Sequence, residues 1–295
     1  MTILAKHSRH HLAARPLQAC EYLAALEFCR ACGAEGVLTG AKIADLINGR
    51  ITTGEVWAIT SQAGWLGPDD HTNIKALCWQ GANLMPVRVQ PDQAKALARL
   101  IQAGGGRPAS LVGPAEAVMA MWDYFKSVWH RPRQILDNQL LMEIAGPPLW
   151  PADLDVAVAT AEQLELVVPA AVAMFTEELG FPPADPLGAY RAHVESLVRG
   201  GAAFIKLGKN GDSVCFKADL GAVLGNKAQV QGVWTHPDLR GLGVAKSGLA
   251  AVVQAANLRG IEAVSLYVNH FNHPAIAAYQ AVGFRQIGRF ATVMF

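Results

Sequence analysis

Several features that mark exported, membrane-spanning or nucleic-acid-binding proteins are missing from this sequence. The first eleven residues contain no apolar core followed by a small-residue cleavage site, so export is not indicated and we expect a cytoplasmic protein. No apolar run reaches the ~18–20 residues that a membrane span requires. The 25 Lys and Arg residues balance 24 Asp and Glu residues without a long basic run, so neither a membrane nor nucleic acid is an expected partner.

Cysteine is scarce, and its distribution excludes a disulfide framework. The five cysteines are an odd number in a chain of 295 residues. Cys29 and Cys32 have the spacing of half a zinc site, but no second Cys or His pair at finger spacing follows them. We therefore interpret them as buried or free thiols on a helix, and we predict no bound metal.

Length and composition predict two domains. A chain of 295 residues is longer than the ~100–200 residues of one typical domain, and 52% hydrophobic residues can fill two cores. The stretch Gly146-Pro-Pro-Leu-Trp-Pro151 is the best candidate linker because proline and glycine interrupt regular structure. We predict domains at residues 1–150 and 151–295.

Hydrophobic patterning predicts mixed α/β structure on both sides of this linker. Residues 85–144 give the order strand, helix, strand, helix, strand. The residues after the linker give β-α-α-β-β-β-α-β-α-β, with a hairpin turn at Asn210-Gly211 and a helix at residues 244–259 that ends at Gly260. The later half of this second order repeats the first.

The clearest chemical motif is a glycine loop between a predicted strand and a predicted helix. Pro237 lies in the turn, and Arg240-Gly-Leu-Gly-Val-Ala245 opens the helix. Glycines allow backbone N–H groups to converge, and a helix N-terminus adds unsatisfied donors and the positive end of its dipole. Such a loop suits a pyrophosphate.

Two common nucleotide-binding patterns do not fit this loop. A P-loop requires glycine directly before Lys-Ser/Thr, whereas Val244 and Ala245 precede Lys246. A Rossmann loop requires a third glycine where Lys246 stands, and an acidic residue at the end of the next strand, where Asn269 stands.

A third pattern fits the loop, and a second motif accompanies it. The loop matches the acetyltransferase pattern Arg/Gln-x-x-Gly-x-Gly/Ala at Arg240-x-x-Gly243-x-Ala245. One helix and one strand later the chain contains Asn272-x-x-Ala275-x-x-x-Tyr279-x-x-x-Gly283-Phe284. With both motifs in this order, residues 154–295 resemble the GNAT superfamily of N-acetyltransferases. The whole chain resembles two-part GNAT proteins of actinobacteria, in which an uncharacterised N-terminal domain precedes the acetyltransferase domain.

The resemblance implies the fold, the donor and the residues that bind it. The expected fold is α/β with a mixed sheet in tandem GNAT-like domains, of which the N-terminal one is degenerate and the C-terminal one is a full acyl-CoA N-acyltransferase fold. The implied co-substrate is acetyl-CoA, without a metal. Its implied contacts are a strand end, the glycine loop and one asparagine: Val233, Trp234, Thr235, Arg240, Gly241, Leu242, Gly243, Val244, Ala245 and Asn272.

The resemblance also implies the reaction, in which an amine attacks the thioester directly and Tyr279 acts as general acid toward the departing thiolate. An amine with a pKa near ~10.4 is protonated at neutral pH, so a base must first remove a proton. Glu177 and Glu178, placed after the first helix of the domain, are candidate bases, and His236 is another. The sequence does not choose among them.

The N-terminal half lacks a corresponding glycine loop. Between Val89 and the predicted helix the chain continues Gln90-Pro-Asp-Gln, which leaves no room for a pyrophosphate. Our hypothesis is that this half is structural and helps to shape the acceptor pocket.

The predicted function is acetyl transfer from acetyl-CoA to a primary amine of a small molecule or peptide. The alternative is a coenzyme A-binding sensor or scaffold without turnover. A longer acyl donor, the acceptor and the oligomeric state stay open.

Overall fold

The structure of the chain is a computed structural model that describes residues 13–61, 64–105, 107–129, 131–185 and 188–295. The N-terminal segment on which the export prediction depends lies outside the described residues. The chain divides into two compact units, one formed by Met1–Asp137 with Ala291–Phe295 and the other by Asn138–Phe290. The Pro-rich stretch at residues 146–151 lies within the second unit, and the domain boundary near residue 150 stays a prediction.

The first unit is a mixed α/β layer structure. Its strands are β1 (Ala13–Pro16), β2 (Glu55–Thr60), β3 (Ile74–Gln80), β4 (Asn83–Val87), β5 (Ser110–Pro114) and the beginning of β6 (Gln134–Ala145). Its helices are α1 (Tyr22–Ala31), α2 (Val37–Ile47), α3 (Pro91–Ala103) and α4 (Ala115–Phe125). Strands β1 to β4 pair antiparallel in sequence order, and β4 pairs in parallel with β5.

The core of the first unit includes the end of the chain. Leu97 of α3 and Met121 of α4 pack with Leu84 of β4, and Ala291 and Val293 belong to the same buried cluster. The backbone N–H of Phe295 donates to the carbonyl of Ala109 at 3.0 Å. A sequence segment some 180 residues away from β5 therefore completes this core, which local patterning does not predict.

The second unit repeats the element order of the first. Its strands are the end of β6, then β7 (Ala157–Val158), β8 (Ala203–Leu207), β9 (Val214–Leu224), β10 (Lys227–Thr235), β11 (Ala263–Asn269) and β12 (Arg285–Met294) up to Phe290. Its helices are α5 (Leu164–Leu179), α6 (Ala189–Arg199), α7 (Val244–Leu258) and α8 (His273–Val282). The element order predicted for this part of the chain is confirmed, and so is the tandem α/β class.

Strand pairing in the second unit follows the same scheme. Strands β7 to β10 pair antiparallel in sequence order, and β10 pairs in parallel with β11. Residues 139–145 of β6 pair antiparallel with β11 on its other side. Apolar residues on one sheet face pack with α7 and α8, and those on the other face pack with α5 and α6.

Three predictions about local structure need correction. Strand β1 was not predicted. Helix α2 was not predicted either, because Gly33, Gly36 and Gly40 interrupt the apolar pattern around it. Glu177 and Glu178 lie in the last turn of α5, not after it, because the helix continues to Leu179.

Within the described residues, none of the helices combines the length and the apolar character that a membrane crossing requires.

Candidate active site

A cleft forms in the second unit where β10 and β11 separate. Their parallel pairing extends from Lys227 opposite Ala263 to Gln229 opposite Ser265. Further along, β10 contains a bulge against β9, because Gly232 and Val233 together oppose the single residue Ala218. The bulge and the end of pairing leave the β11-facing edge of β10 open.

A cavity of about 510 Å³ occupies this cleft. The ends of β10 and β11, the last turn of α5, the start of α7 and the first turns of α8 line it. The predicted contacts Val233, Trp234 and Thr235 line it at the end of β10. Because Trp234 and Thr235 pair with β9 on one side only, their backbone can accept an added strand-like ligand on the other.

The glycine loop lies at one end of this cavity. Gly241 and Gly243 have positive φ angles of 79° and 85°, which favour glycine. A Cβ added at either position would meet no atom within 4 Å, so both face open space. The N–H groups of Gly243, Val244 and Ala245 have no acceptor in the part of the chain that the structure describes. The start of helix α7 thus offers free hydrogen-bond donors of the kind that suit an anion.

Arg240 and Glu177 hold this loop in place. Arg240 Nε donates to the carbonyl of Thr235 at 3.1 Å, and Arg240 Nη2 pairs with Glu177 Oε2. Glu177 Oε1 also accepts a hydrogen bond of 3.2 Å from the indole N–H of Trp234. Both oxygens of Glu177 are therefore engaged in tying α5 to β10 and to the loop.

Two of the predicted residues do not line the cavity. Leu242 has 71% of its surface exposed, and its N–H donates to the carbonyl of Leu239. His236 packs edge-on against Trp234, and its Nδ1 accepts a hydrogen bond of 3.4 Å from the N–H of Asp238. The cavity-lining side chains do not include either residue.

Asn272 is the N-cap of α8 and also lines the cavity. Its Oδ1 accepts a hydrogen bond of 3.2 Å from the N–H of Ala275, which satisfies one orphan donor of the helix. The side-chain NH₂ of Asn272 stays available to a ligand oxygen, because its carbonyl oxygen faces the helix.

Glu178 and Tyr279 face the same cavity with shifted pKa values. Glu178 is exposed to the cavity, and desolvation by the surrounding protein raises the pKa of its carboxyl above its ordinary 4.5. Desolvation raises the pKa of Tyr279 well above 10, and the charge of Glu178 adds to this shift. Glu178 makes no hydrogen bond to another described residue, unlike Glu177. The site thus contains a phenol that keeps its proton at neutral pH and a carboxyl that is more basic than an ordinary glutamate.

The sequence analysis missed Tyr267, which belongs to the same group. Burial raises the pKa of Tyr267, with a contribution from Glu178, and its side chain lines the cavity. Its signal in the sequence is the alternation along β11, in which Ser265, Tyr267 and Asn269 lie on one face while Val264 and Leu266 lie in the apolar core on the other.

The structure bears on metal binding through its described residues. They contain no group of three or more His, Cys, Asp and Glu side chains that could hold a metal ion. Cys29 and Cys32 are free and buried, and burial raises the pKa of each thiol. The interpretation of this pair as buried thiols is confirmed.

Comparison with family models divides the chain into two described parts. Residues 198–284 match the model described as the acetyltransferase (GNAT) family. Residues 54–167 match DUF4081, a domain of unknown function. The predicted two-part organisation is confirmed. A comparison with curated proteins gave no match.

Comparison with solved structures shows the fold. A GCN5-related N-acetyltransferase from Sphaerobacter thermophilus is 17% identical with a TM-score of 0.59, over 96% of this chain and 94% of that chain. A GNAT-family acetyltransferase from Colwellia psychrerythraea is 15% identical with a TM-score of 0.53, over 96% and 99%. A tandem GNAT protein from the clavulanic acid biosynthesis pathway is 14% identical with a TM-score of 0.56, over 96% and 98%.

Proposed function

Because this chain contains a GNAT-family acetyltransferase domain, we propose that it transfers the acetyl group of acetyl-CoA to a primary amine of a small molecule or peptide. The observation that carries the proposal is the placement of Glu178 and Tyr279 on one cavity whose other end is the open glycine loop. Proton acceptor, proton donor and anion site are then arranged along a single cleft.

The residues of the cleft fit an acyl-CoA donor. Gly241 and Gly243 leave space where side chains would stand, and the free N–H groups at the start of α7 match the charge of a pyrophosphate. The open edge of β10 at residues 233–235 matches the amide-containing pantetheine arm. Both features favour a coenzyme A thioester over a plain nucleotide, because a nucleotide has no extended arm to fill the cleft.

The donor supplies a thioester whose carbonyl carbon an amine can attack directly. The protein's tasks are to orient the two reactants and to move protons. In our proposal the Glu178 carboxylate accepts a proton from the acceptor ammonium, directly or through one water. Its raised pKa makes it a stronger base than an ordinary glutamate. Glu177 has a positioning role, because both its oxygens bind Trp234 and Arg240.

Tyr279 donates its hydroxyl proton to the departing sulfur in this proposal. The raised pKa keeps the phenol protonated at neutral pH, as a general acid must be before the reaction. No hydrogen bond from the Tyr279 hydroxyl to another described residue competes for this proton. The neighbouring Tyr267 hydroxyl is a second donor that can orient the acceptor or the acetyl oxygen.

Thiol release from acetyl-CoA with a panel of primary amines tests the proposal. We expect release with at least one amine, and a decrease of kcat by about 100-fold in Tyr279→Phe with little change in the affinity for acetyl-CoA. The matched control is Tyr124→Phe, whose hydroxyl bonds Gln102 in the first unit. Binding of acetyl-CoA without release for any amine would instead favour the sensor or scaffold, and an unchanged kcat in Tyr279→Phe would remove Tyr279 from the mechanism.

A further inference from the structure

A buried ion pair lies on β9 directly opposite the bulge of β10. Lys217 and Asp219 are two residues apart on the same face of β9, with only 1% and 4% of their surfaces exposed. Lys217 Nζ donates to Asp219 Oδ2. Sequence reasoning gave no role to either residue, although two opposite charges at alternating positions in an apolar strand are their signal.

The hydrogen-bonding capacity of the Lys217–Asp219 pair is only partly used. Asp219 Oδ1 is buried without a hydrogen-bond partner, and in the described part of the chain Asp219 is the one acceptor of Lys217 Nζ. Buried ion pairs of this kind are often no more stabilising than apolar residues of similar size, because desolvation offsets their attraction. Stability alone therefore does not explain why charges occupy this position.

The geometry of Gly232 connects the pair to the bulge. Gly232 has a φ of 59°, and a Cβ added to it would lie 2.9 Å from Asp219 Oδ2, 3.2 Å from Lys217 Nζ and 3.3 Å from Met174 Cε. The two charged groups thus occupy the space that a side chain at residue 232 would need. Flattening the bulge would move the β10 backbone relative to these charged atoms.

The bulge in turn determines where β10 leaves β11. Gln231 opposes Asp219 and Trp234 opposes Lys217. The extra residue of β10 therefore lies opposite the segment of β9 that carries the two charged residues. The residues that follow, from Val233 to Thr235, carry the open edge that faces the cavity. Any change in the bulge therefore shifts this edge.

We propose that the Lys217–Asp219 ion pair is a positioning element: it packs against Gly232, holds the β10 bulge in place and thereby determines the position of the open β10 edge that we assign to acetyl-CoA. This inference rests on the proposed function, because it concerns the binding of acetyl-CoA. The pair acts through the backbone of β10 and not through contact with the reacting atoms.

Calorimetric titration with acetyl-CoA tests this role without knowledge of the acceptor. The variant Lys217→Met/Asp219→Leu removes both charges and keeps the length and branching of the side chains similar, so we expect it to fold, with a thermal unfolding transition as the check. We expect its Kd for acetyl-CoA to rise by about tenfold or more. The matched control is Lys206→Met/Asp153→Leu, which removes another Lys–Asp pair of the same unit and should leave the Kd unchanged.

A second variant keeps the test decisive if the double variant does not fold. Gly232→Ala retains both charges but places a methyl group against them, and we expect the same rise in Kd. A Kd within about twofold of wild type in either folded variant would overturn the inference while leaving the proposed function intact. A wild-type protein that does not bind acetyl-CoA would overturn both.

Discussion

The two units use the same element order, but they differ in the connection that leads into the third helix, where we propose the anion site of the second unit. In the first unit, three residues, Arg88 to Gln90, join β4 to α3. In the second unit, the eight residues from His236 to Gly243 join β10 to α7. The difference shows that this fold can begin its third helix either after a short turn or after a longer glycine loop.

In the first connection, the protein itself provides hydrogen-bond partners at the start of the helix. Pro91 occupies the first position of α3 and has no N–H to offer, and the Gln93 side chain accepts a hydrogen bond of 3.2 Å from the N–H of Gln90. In the second connection, positive-φ glycines face open space and the N–H groups at the start of α7 have no acceptor in the described chain. Only the second connection therefore suits a pyrophosphate.

The largest expected effect is a loss of affinity for acetyl-CoA on substitution of Gly243 in the glycine loop. Gly243→Glu places a side chain and a negative charge in the anion site, and it forces a non-glycine residue into a φ of 85°. We expect the affinity for acetyl-CoA to fall by at least about 1000-fold, measured by calorimetry.

Gly260→Glu is the matched control for this change. Gly260 follows the other end of α7, has a φ of 80° and also faces open space, so the substitution carries the same backbone strain and charge away from the cleft. Equal loss of affinity in both variants would show that the effect is a general destabilisation and not occupation of the anion site.

The next effect concerns Glu178, whose carboxyl contrasts with Glu21 in the first unit. Desolvation by the surrounding protein raises the pKa of Glu178, so the fraction of active base falls as pH decreases through this raised value. We expect Glu178→Gln to lower kcat by about 100-fold and to remove the acidic limb of the pH–rate profile.

Glu177→Gln distinguishes the positioning role of Glu177 from the role of Glu178 as a base. Its carboxylate binds Trp234 and Arg240, so its loss should affect chiefly the affinity for acetyl-CoA and leave the acidic limb in place. If the limb persisted in Glu178→Gln and vanished in Glu177→Gln, the two roles would have to be exchanged.

Much of this contrast could be predicted from the sequence, because it depends on local backbone chemistry. The glycine loop, the N-cap Asn272 and the Gln90-Pro91 turn each concern residues that are close in sequence. The roles of Glu177 and Glu178 could not be separated, because the distinction depends on Trp234 and Arg240, more than fifty residues away. The packing of Ala291 and Val293 in the first unit depends on equally distant contacts. The Lys217–Asp219 pair is local in sequence, but its contact with Gly232 depends on the pairing of β9 with β10.

A third prediction concerns the acid stability of the first unit. Burial raises the pKa of Glu21, but hydrogen bonds from Arg15, Gln18 and Leu66 outweigh this effect and hold it at about 2. Because the folded pKa is lower than the ordinary 4.5, this carboxylate stabilises the fold fully above pH 4.5, and the contribution is lost as pH falls toward 2.

Glu21→Gln should therefore lower the free energy of unfolding at pH 7 by about 2 kcal/mol, because charged hydrogen bonds are lost from a buried position. The difference between wild type and variant should shrink as pH falls from 5 to 3, as measured by denaturant titration. A difference that stays constant over this range would argue against an ionised Glu21 in the folded protein, and Glu27→Gln, at an exposed surface pair, is the control.

The smallest effect sharpens the comparison at the closed connection itself. Gln93→Ala removes the side chain that accepts from the N–H of Gln90, and we expect a loss of about 0.5–1 kcal/mol in the free energy of unfolding. Gln163→Ala removes the equivalent bond to the N–H of Thr160 in the second unit, at 2.9 Å, and should cost a similar amount. Because neither bond belongs to the cleft, acetyl-CoA affinity should stay unchanged in both variants. A loss of affinity in Gln93→Ala alone would mean that the connection between β4 and α3 takes part in coenzyme binding after all, and the two connections would no longer be functional opposites.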